Sequence, residues 1–213
     1  MTLTKKAVLI VIGLLCKVFL SWKVSGKENV PATGPLVLVS NHVHIMDTIL
    51  IPISFPRWIN FMAKRELFNN PLLGFILRWA GAFPILRQGV VGDKRDTMRN
   101  AMTILEKGEV LGMFPEGKRN SDGVLSRGKA GPAVIALKAG VPLIPVAVSG
   151  MENLKGMSWL WKRPLINISI GETFSVPAVK GRFNKTAMKA LTDLMMKKIA
   201  VMLPEGKQGI YGD

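Results

Sequence analysis

Residues 36–47 read Leu-Val-Leu-Val-Ser-Asn-His-Val-His-Ile-Met-Asp, and this stretch decides the fold. Its first four residues form a β-rich apolar run, which is typical of a buried strand. His42 and Asp47 follow, and on one regular helix their spacing would rotate the two side chains about 140° apart. They can meet only if His42 lies in a loop after the strand and Asp47 lies in the turn that opens a helix. The stretch therefore predicts a strand-to-helix junction.

The same alternation continues along the chain. Further strands are predicted at residues 58–62, 82–86, 110–114, 143–148 and 165–170. Helices are predicted at residues 67–79, 93–108, 131–139 and 184–203, with Asp93 and Asn184 as N-caps. Alternating strands and helices predict an α/β fold: a single layered domain with a largely parallel or mixed sheet flanked by helices.

An apolar run at residues 7–22, interrupted by Lys17, precedes this domain. No small-residue cleavage site follows it, which argues against a signal peptide. As a helix it would extend about 24 Å, less than the roughly 30 Å of a bilayer's hydrocarbon core. We expect it to lie in the membrane interface; a short tilted span and an ordinary core helix are the alternatives. Residues 1–30 are thus predicted as a membrane-anchoring helical segment and residues 31–213 as the α/β domain.

Composition indicates an anionic partner. The chain of 213 residues carries 29 Lys and Arg against 14 Asp and Glu, a net charge of +15, and 48% of its residues are hydrophobic. Nucleic acid and anionic lipid are the main candidates, and the high apolar content favours a membrane phospholipid surface. No nucleic-acid-binding motif is present. The single cysteine, Cys16, excludes an intrachain disulfide and a cysteine-based zinc site, which fits a reducing cytoplasmic setting.

His42 and Asp47 are the candidate catalytic pair. The carboxylate could bind one imidazole nitrogen and leave the other to accept a proton, as a general base requires. A chance His-x4-Asp match is the alternative. His44 has no such partner in the sequence and is interpreted as a packing or loop residue. One histidine pair and scattered carboxylates form no metal-ligand cluster, so no metal is expected.

Three further motifs follow in order. One of them, Phe114-Pro-Glu-Gly-Lys-Arg119, follows an apolar strand. Its glycine permits close approach of the backbone to a ligand, and its two cations suit a phosphate. A solvated surface turn is the alternative interpretation. Gly81-Ala-Phe-Pro-Ile-Leu-Arg87 ends in another cation, which could equally be a solvated strand end. Val141-Pro-Leu-Ile-Pro-Val146 has no titratable group; it can shape an apolar wall but cannot do acid–base chemistry.

Together, the four motifs closely resemble those of the glycerolipid acyltransferase family, typified by 1-acylglycerol-3-phosphate acyltransferase, from about Val37 to Val148. The resemblance implies acyl transfer from acyl-CoA or acyl carrier protein to the sn-2 hydroxyl of a lysophosphatidate-like acceptor, giving phosphatidic acid without a cofactor or a covalent acyl-enzyme. His42 would take the hydroxyl proton, and Asp47 would orient His42. The enzyme would work at the cytoplasmic face of a membrane, the inner membrane if bacterial, as a peripheral or monotopic protein.

The resemblance also implies roles for the remaining motif residues. Arg87 and Arg119 would bind the acceptor phosphate. Glu116 and Gly117 would belong to the same pocket, with Glu116 binding glycerol hydroxyls or holding the loop. Further expected contacts are Lys118 and Lys129 on the phosphate side and Val141, Pro142, Ile144 and Pro145 as an acyl-side wall.

Lys118 and Asn120 replace the threonine and serine that are usual in the third motif, and His44 and Met46 are unusual in the first. The added cation of Lys118 would strengthen phosphate binding or alter headgroup choice. Two alternatives therefore stay open: a lysophospholipid remodelling acyltransferase with a larger headgroup, and a non-catalytic basic lipid-binding module. A serine hydrolase is disfavoured because no G-x-S-x-G motif is present.

Overall fold

A seven-stranded sheet forms the middle layer of the computed structural model, which describes residues 3–71, 74, 82–85, 91–154, 156, 159–175 and 185–212. The strands are β1 (Ser21–Ser25), β2 (Leu36–Ser40), β3 (Ile59–Lys64), β4 (Phe83–Ile85), β5 (Val110–Met113), β6 (Leu143–Ser149) and β7 (Leu165–Ile170). The helices of the described residues are α1 (Leu3–Phe19), α2 (Asp47–Ser54), α3 (Val91–Glu106), α4 (Gly131–Ala139), α5 (Trp159–Lys162) and α6 (Lys185–Ala200).

The strand order is β1-β7-β6-β2-β5-β3-β4, and neighbouring strands are parallel except β6 and β7, which run antiparallel. The predicted mixed, largely parallel sheet is therefore confirmed. Strand β2 lies between β5 and β6, and all five of its residues are buried. A strand covered on both faces needs apolar side chains throughout, which explains the continuous run in the sequence.

Helices cover the two faces of the sheet in separate groups. On one face, Leu50 of α2 and Trp159 of α5 pack with Cys16 of α1 and its neighbour Leu20. On the other face, residues of α3, α4 and α6 form a second apolar cluster, which includes Leu105, Ala136 and Met195. The chain is thus a three-layer α/β domain of the kind that the sequence predicts.

Adjacent strands β2 and β5 lead into helices on opposite faces of the sheet. Strand β2 continues into α2, whereas β5 is followed by α4. Where the connections after two neighbouring parallel strands go to opposite faces of the sheet, a crevice opens beyond the carboxyl ends of the strands. Open α/β sheets bind ligands there. The first motif follows β2 and the third follows β5, so both motifs lie at this crevice.

Two local predictions need correction, and two others fall mostly or wholly outside the described residues. The predicted helix 7–22 ends at Phe19, and Ser21–Ser25, within the segment 1–30, form strand β1 because their backbone pairs with β7. Helix α3 begins at Val91, so Asp93 lies in its first turn and is not its N-cap. Most of the predicted helix 67–79 and the predicted cap Asn184 lie outside the described residues.

Helix α1 has 17 residues, about 25 Å of helix. Within the described ranges, no helix combines the length and apolar character needed to cross a bilayer.

Candidate active site

His42 and Asp47 meet at the junction between β2 and α2. His42 Nδ1 lies 2.9 Å from Asp47 Oδ2, and Asp47 is the first residue of α2 and fully buried. The strand-to-helix junction predicted from the spacing is therefore present, and it brings the two side chains into contact.

The loop between them folds around the carboxylate. Asp47 Oδ2 also accepts hydrogen bonds from the backbone N–H groups of Val43, at 2.7 Å, and His44, at 2.9 Å. Charge-assisted bonds of this kind offset the cost of burying the carboxylate, and the amino end of α2 adds a favourable dipole. With the carboxylate accepting at Nδ1, the favoured neutral tautomer carries its proton there. The Nε2 lone pair is then the one available to take a proton.

Aromatic stacking fixes the plane of the imidazole. The His42 ring lies 4.0 Å from the Phe114 ring, centroid to centroid, with 16° between the planes. Phe61 stacks on Phe114 in turn, at 5.4 Å. Phe114 is the first residue of the third motif, and this role was not predicted from the sequence.

The third-motif loop also holds the backbone of His42 on both sides. Its N–H donates to Glu116 Oε1 at 2.9 Å, and its carbonyl accepts from the Asn120 N–H at 2.7 Å. On the preceding residue, the Asn41 side chain forms two bonds of 2.8 Å with the backbone of Val148 in β6. The loop that carries His42 is therefore fastened to β6 and to the loop that follows β5.

Glu116 is the centre of this connection. It is 3% exposed, and besides His42 N–H it accepts bonds from Asn120 Nδ2 at 2.9 Å and from Ser126 N–H at 2.9 Å and Oγ at 2.8 Å. Four protein donors occupy the two carboxylate oxygens. Of the two roles expected for Glu116, these contacts support holding the loop, and they leave little capacity for glycerol hydroxyls.

The predicted phosphate-binding cations surround this loop. Gly117 has a φ of 68°, and a Cβ on it would lie 2.8 Å from Lys129 Nζ, so the lysine side chain lies directly over the glycine. The Lys129 N–H donates to the Pro115 carbonyl at 2.8 Å. Lys118 and Arg119 are exposed. Lys118 and Arg119 thus lie on the loop that holds the His42 backbone and Lys129 packs against it, and their binding of a phosphate stays a prediction.

The environment of His44 places Arg119 near the catalytic loop. Burial lowers the pKa of His44; Asp47 opposes that shift, and the charges of Arg119 and His42 reinforce it. A neutral His44 accepts the Met46 N–H at Nδ1, at 3.3 Å. His44 is therefore a loop residue, as interpreted from the sequence, and Arg119 is close enough to act on it electrostatically.

The fourth motif lies elsewhere. Parallel register pairs Val37 with Leu143 and Ser40 with Val146, which puts His42 level with Val148. Val141 precedes Val148 by seven positions, or about 23 Å of strand. Val141 and Pro142 therefore lie at the opposite edge of the sheet from His42 and Asp47, and their role as an acyl-side wall stays a prediction.

The other two residues of the predicted wall are buried. Ile144 is fully buried in the core, and Pro145 is buried while its carbonyl accepts the Gly171 N–H at 2.9 Å. Val141 instead lines a small cavity with Pro35 and Leu105, remote from the catalytic pair. The motif leads into the first half of the buried strand β6, which explains its apolar character.

Two other predictions, the phosphate contact of Arg87 and the absence of a metal, stay predictions. Arg87 lies outside the described residues. Among the residues that the structure describes, no group of three or more histidine, cysteine or acidic side chains could hold a metal ion.

The contacts that support the segment after the third motif were not predicted from the sequence. The Gly128 N–H donates to the Tyr211 hydroxyl at 3.2 Å, and the Leu125 N–H donates to the Lys207 carbonyl at 2.9 Å. The C-terminal residues thus fasten the segment that carries Ser126 and Lys129. Nothing in one sequence pairs residues separated by some 80 positions, so no signal could have indicated these contacts.

Comparisons with known proteins show which family the chain resembles. A protein-family model described as acyltransferase matches residues 21–149. The chain is similar to 1-acyl-sn-glycerol-3-phosphate acyltransferases from Bacillus subtilis (31% identical; 83% of this chain, 85% of the relative) and Streptococcus pneumoniae (28%; 90% and 72%). It is also similar to the crystal structure of the 1-acyl-sn-glycerophosphate (LPA) acyltransferase PlsC from Thermotoga maritima, with a TM-score of 0.66 at 28% identity over 89% of this chain and 76% of that one.

Proposed function

This chain belongs to the acyltransferase family, and from that premise we propose that it transfers a fatty acyl chain to the sn-2 hydroxyl of 1-acylglycerol-3-phosphate, giving phosphatidic acid. The observation that carries the proposal is the His42–Asp47 contact of 2.9 Å beside a loop with three exposed or accessible cations. A base for a hydroxyl and cations for a phosphate are what this acceptor requires.

The reaction transfers a proton through His42 and an acyl group to the acceptor. The acceptor O–H gives its proton to His42 Nε2 while its oxygen attacks the thioester carbonyl of the donor. The C–S bond then breaks, an ester remains on the acceptor, and the thiolate leaves with the proton returned by the imidazolium. Asp47 stabilises that imidazolium through Nδ1 and stays ionised throughout.

The donor is acyl-CoA or acyl carrier protein, and the reaction uses no metal or cofactor. An acyl thioester already carries a good leaving group, and the residues at the crevice supply the base. The net charge of +15 favours both anionic donors.

The enzyme works at the cytoplasmic face of a membrane, on a phospholipid surface, as a peripheral or monotopic protein. Support comes from α1, whose outward side is apolar: Ile10, Leu14 and Val18 are each at least 60% exposed. Such a helix suits the interface of an anionic bilayer, where neighbouring lysines meet headgroups.

Acceptor choice is tested with a panel of lyso-acceptors and both donors, using a radiolabelled acyl chain. We expect lysophosphatidate to be the best acceptor, because exposed cations suit a terminal phosphate. Preference for a lysophospholipid with a larger headgroup would favour a remodelling enzyme. Vesicle binding without transfer to any acceptor would favour a non-catalytic lipid-binding module.

Replacing Arg119 by alanine is expected to raise the KM for lysophosphatidate about tenfold while changing kcat little, because a charged hydrogen bond to the phosphate is lost. Steady-state kinetics over a range of acceptor concentrations measures both constants. Lys138→Ala is the control, since it removes one exposed positive charge at the opposite edge of the sheet. An unchanged KM in Arg119→Ala would remove Arg119 from the phosphate site.

A further inference from the structure

Trp161 is the feature of the described surface that the catalytic geometry leaves unexplained. It is 88% exposed on the short helix α5, yet that helix is well anchored. Trp159 packs against the core, and the Arg163 guanidinium donates to the Lys17 carbonyl of α1 at 2.7 Å. A large aromatic side chain is therefore held out in solvent on a fixed support.

Strand register places this helix at the same edge of the sheet as His42. Because β6 and β7 are antiparallel, Ser149 at the carboxyl end of β6 pairs with Asn167 near the start of β7. Helix α5 immediately precedes β7. The pairing of Ser21 with Leu165 brings the end of α1 to this edge as well.

The surface formed there is both apolar and basic. We call it the α1–α5 rim; its exposed apolar side chains are Phe19, Trp161 and Leu165, and its exposed cations are Lys17, Lys162 and Arg163. No acidic side chain is among these six described residues. Aromatic and aliphatic side chains among lysines and arginines are the composition that partitions into the headgroup region of an anionic bilayer.

Ile45 extends the apolar character towards the catalytic loop. It lies between His42 and Asp47 and is 50% exposed, and α2, which follows it, packs against α1. An acceptor whose acyl chain stays in a bilayer at the rim would have only its headgroup and hydroxyl to bring to the crevice.

We propose that the α1–α5 rim is a second membrane-docking site, at which Trp161 enters the headgroup region of an anionic phospholipid bilayer beside α1 and orients the crevice towards the lipid. The inference rests on the proposed function for its choice of partner. Charge complementarity decides the occupant: three cations and no carboxylate among the described residues of the rim suit an anionic lipid surface, whereas a second copy of this strongly basic chain would be repelled.

The test measures partition of the purified full chain to vesicles of phosphatidylcholine mixed with phosphatidylglycerol. Trp161→Ala is expected to bind about tenfold more weakly, through lost burial of a large apolar side chain, and Trp161→Phe to bind with intermediate strength. Activity should fall for lysophosphatidate embedded in vesicles and stay unchanged for a short-chain, monomeric lysophosphatidate.

Val201→Ala is the matched control, because Val201 is 71% exposed but follows α6, on the opposite face of the sheet. Equal vesicle binding by wild type and Trp161→Ala, or an equal loss of vesicle binding in Val201→Ala, would overturn the proposal that the rim docks on membranes. So would a wild-type dimer that Trp161→Ala dissociates with vesicle binding unchanged, since that result assigns the rim to a second copy.

Vesicle binding does not depend on turnover. A wild type that binds through Trp161 but transfers no acyl chain would therefore refute the proposed function and leave the proposed docking site standing.

Discussion

Replacement of His42 by alanine is expected to reduce kcat about 1,000-fold or more, because the base that takes the hydroxyl proton is lost. Binding of lysophosphatidate should change little, since the cations of the third-motif loop remain. Initial rates of phosphatidic acid formation at saturating acceptor measure the loss, and acceptor binding to the variant is measured separately by titration.

His44→Ala provides the control in the same loop. His44 differs from His42 in having its Nδ1 engaged by the Met46 N–H and not by a carboxylate. We expect this variant to keep most of its turnover. Near-normal turnover in His42→Ala, or an equal loss in both variants, would show that His42 is not the base.

Glu116→Gln is expected to lower kcat about 100-fold and to leave the KM for lysophosphatidate within a few-fold of wild type. The substitution places an amide N–H₂ against N–H and O–H groups that now donate to the carboxylate. The loop that holds the His42 backbone must therefore shift, and small displacements of a catalytic group lower the rate strongly. Steady-state kinetics separates the two constants. If Glu116 bound glycerol hydroxyls instead, the KM would rise.

The size of the structural effect can be measured alongside. Glu116→Ala removes the acceptor of four part-buried donors, of which only Asn120 Nδ2 keeps another partner, and is expected to destabilise the fold by about 3 kcal/mol. Glu152→Gln is the matched control: Glu152 accepts the Gly150 N–H at 2.9 Å and pairs with Lys207 at 3.6 Å, but it has no contact with His42. It should lower the melting temperature without lowering kcat. A parallel loss of kcat in Glu152→Gln would mean that Glu116 acts only through overall stability.

The catalytic junction was predictable because its causes are local. The run Leu36–Val39 specifies a buried strand, and five-residue spacing excludes a shared helical face for His42 and Asp47. The breadth of the sheet followed from alternation of apolar runs. Strand β1 was missed because its partner, β7, lies some 140 positions away, and pairing with it overrides the helical appearance of residues 21 and 22.

The hydrogen-bond partners of individual polar residues were harder to predict from the sequence. A Pro-Glu-Gly turn shows a carboxylate in the sequence, but not that its four donors come from His42, Asn120 and Ser126. The distance of the fourth motif from His42 was not predictable for a related reason: an apolar strand carries no information on which of its ends lies near the site. Only the register of β2 with β6 puts Val141 at the far edge.

The most direct measurement of the central claim is a double-mutant cycle on His42→Ala and Asp47→Asn, read as kcat for acyl transfer to lysophosphatidate. If the two side chains act as one unit, each single variant loses most of the rate and the double variant is no slower than His42→Ala alone. Losses that multiply in the double variant, or an Asp47→Asn enzyme that turns over normally, would contradict the account.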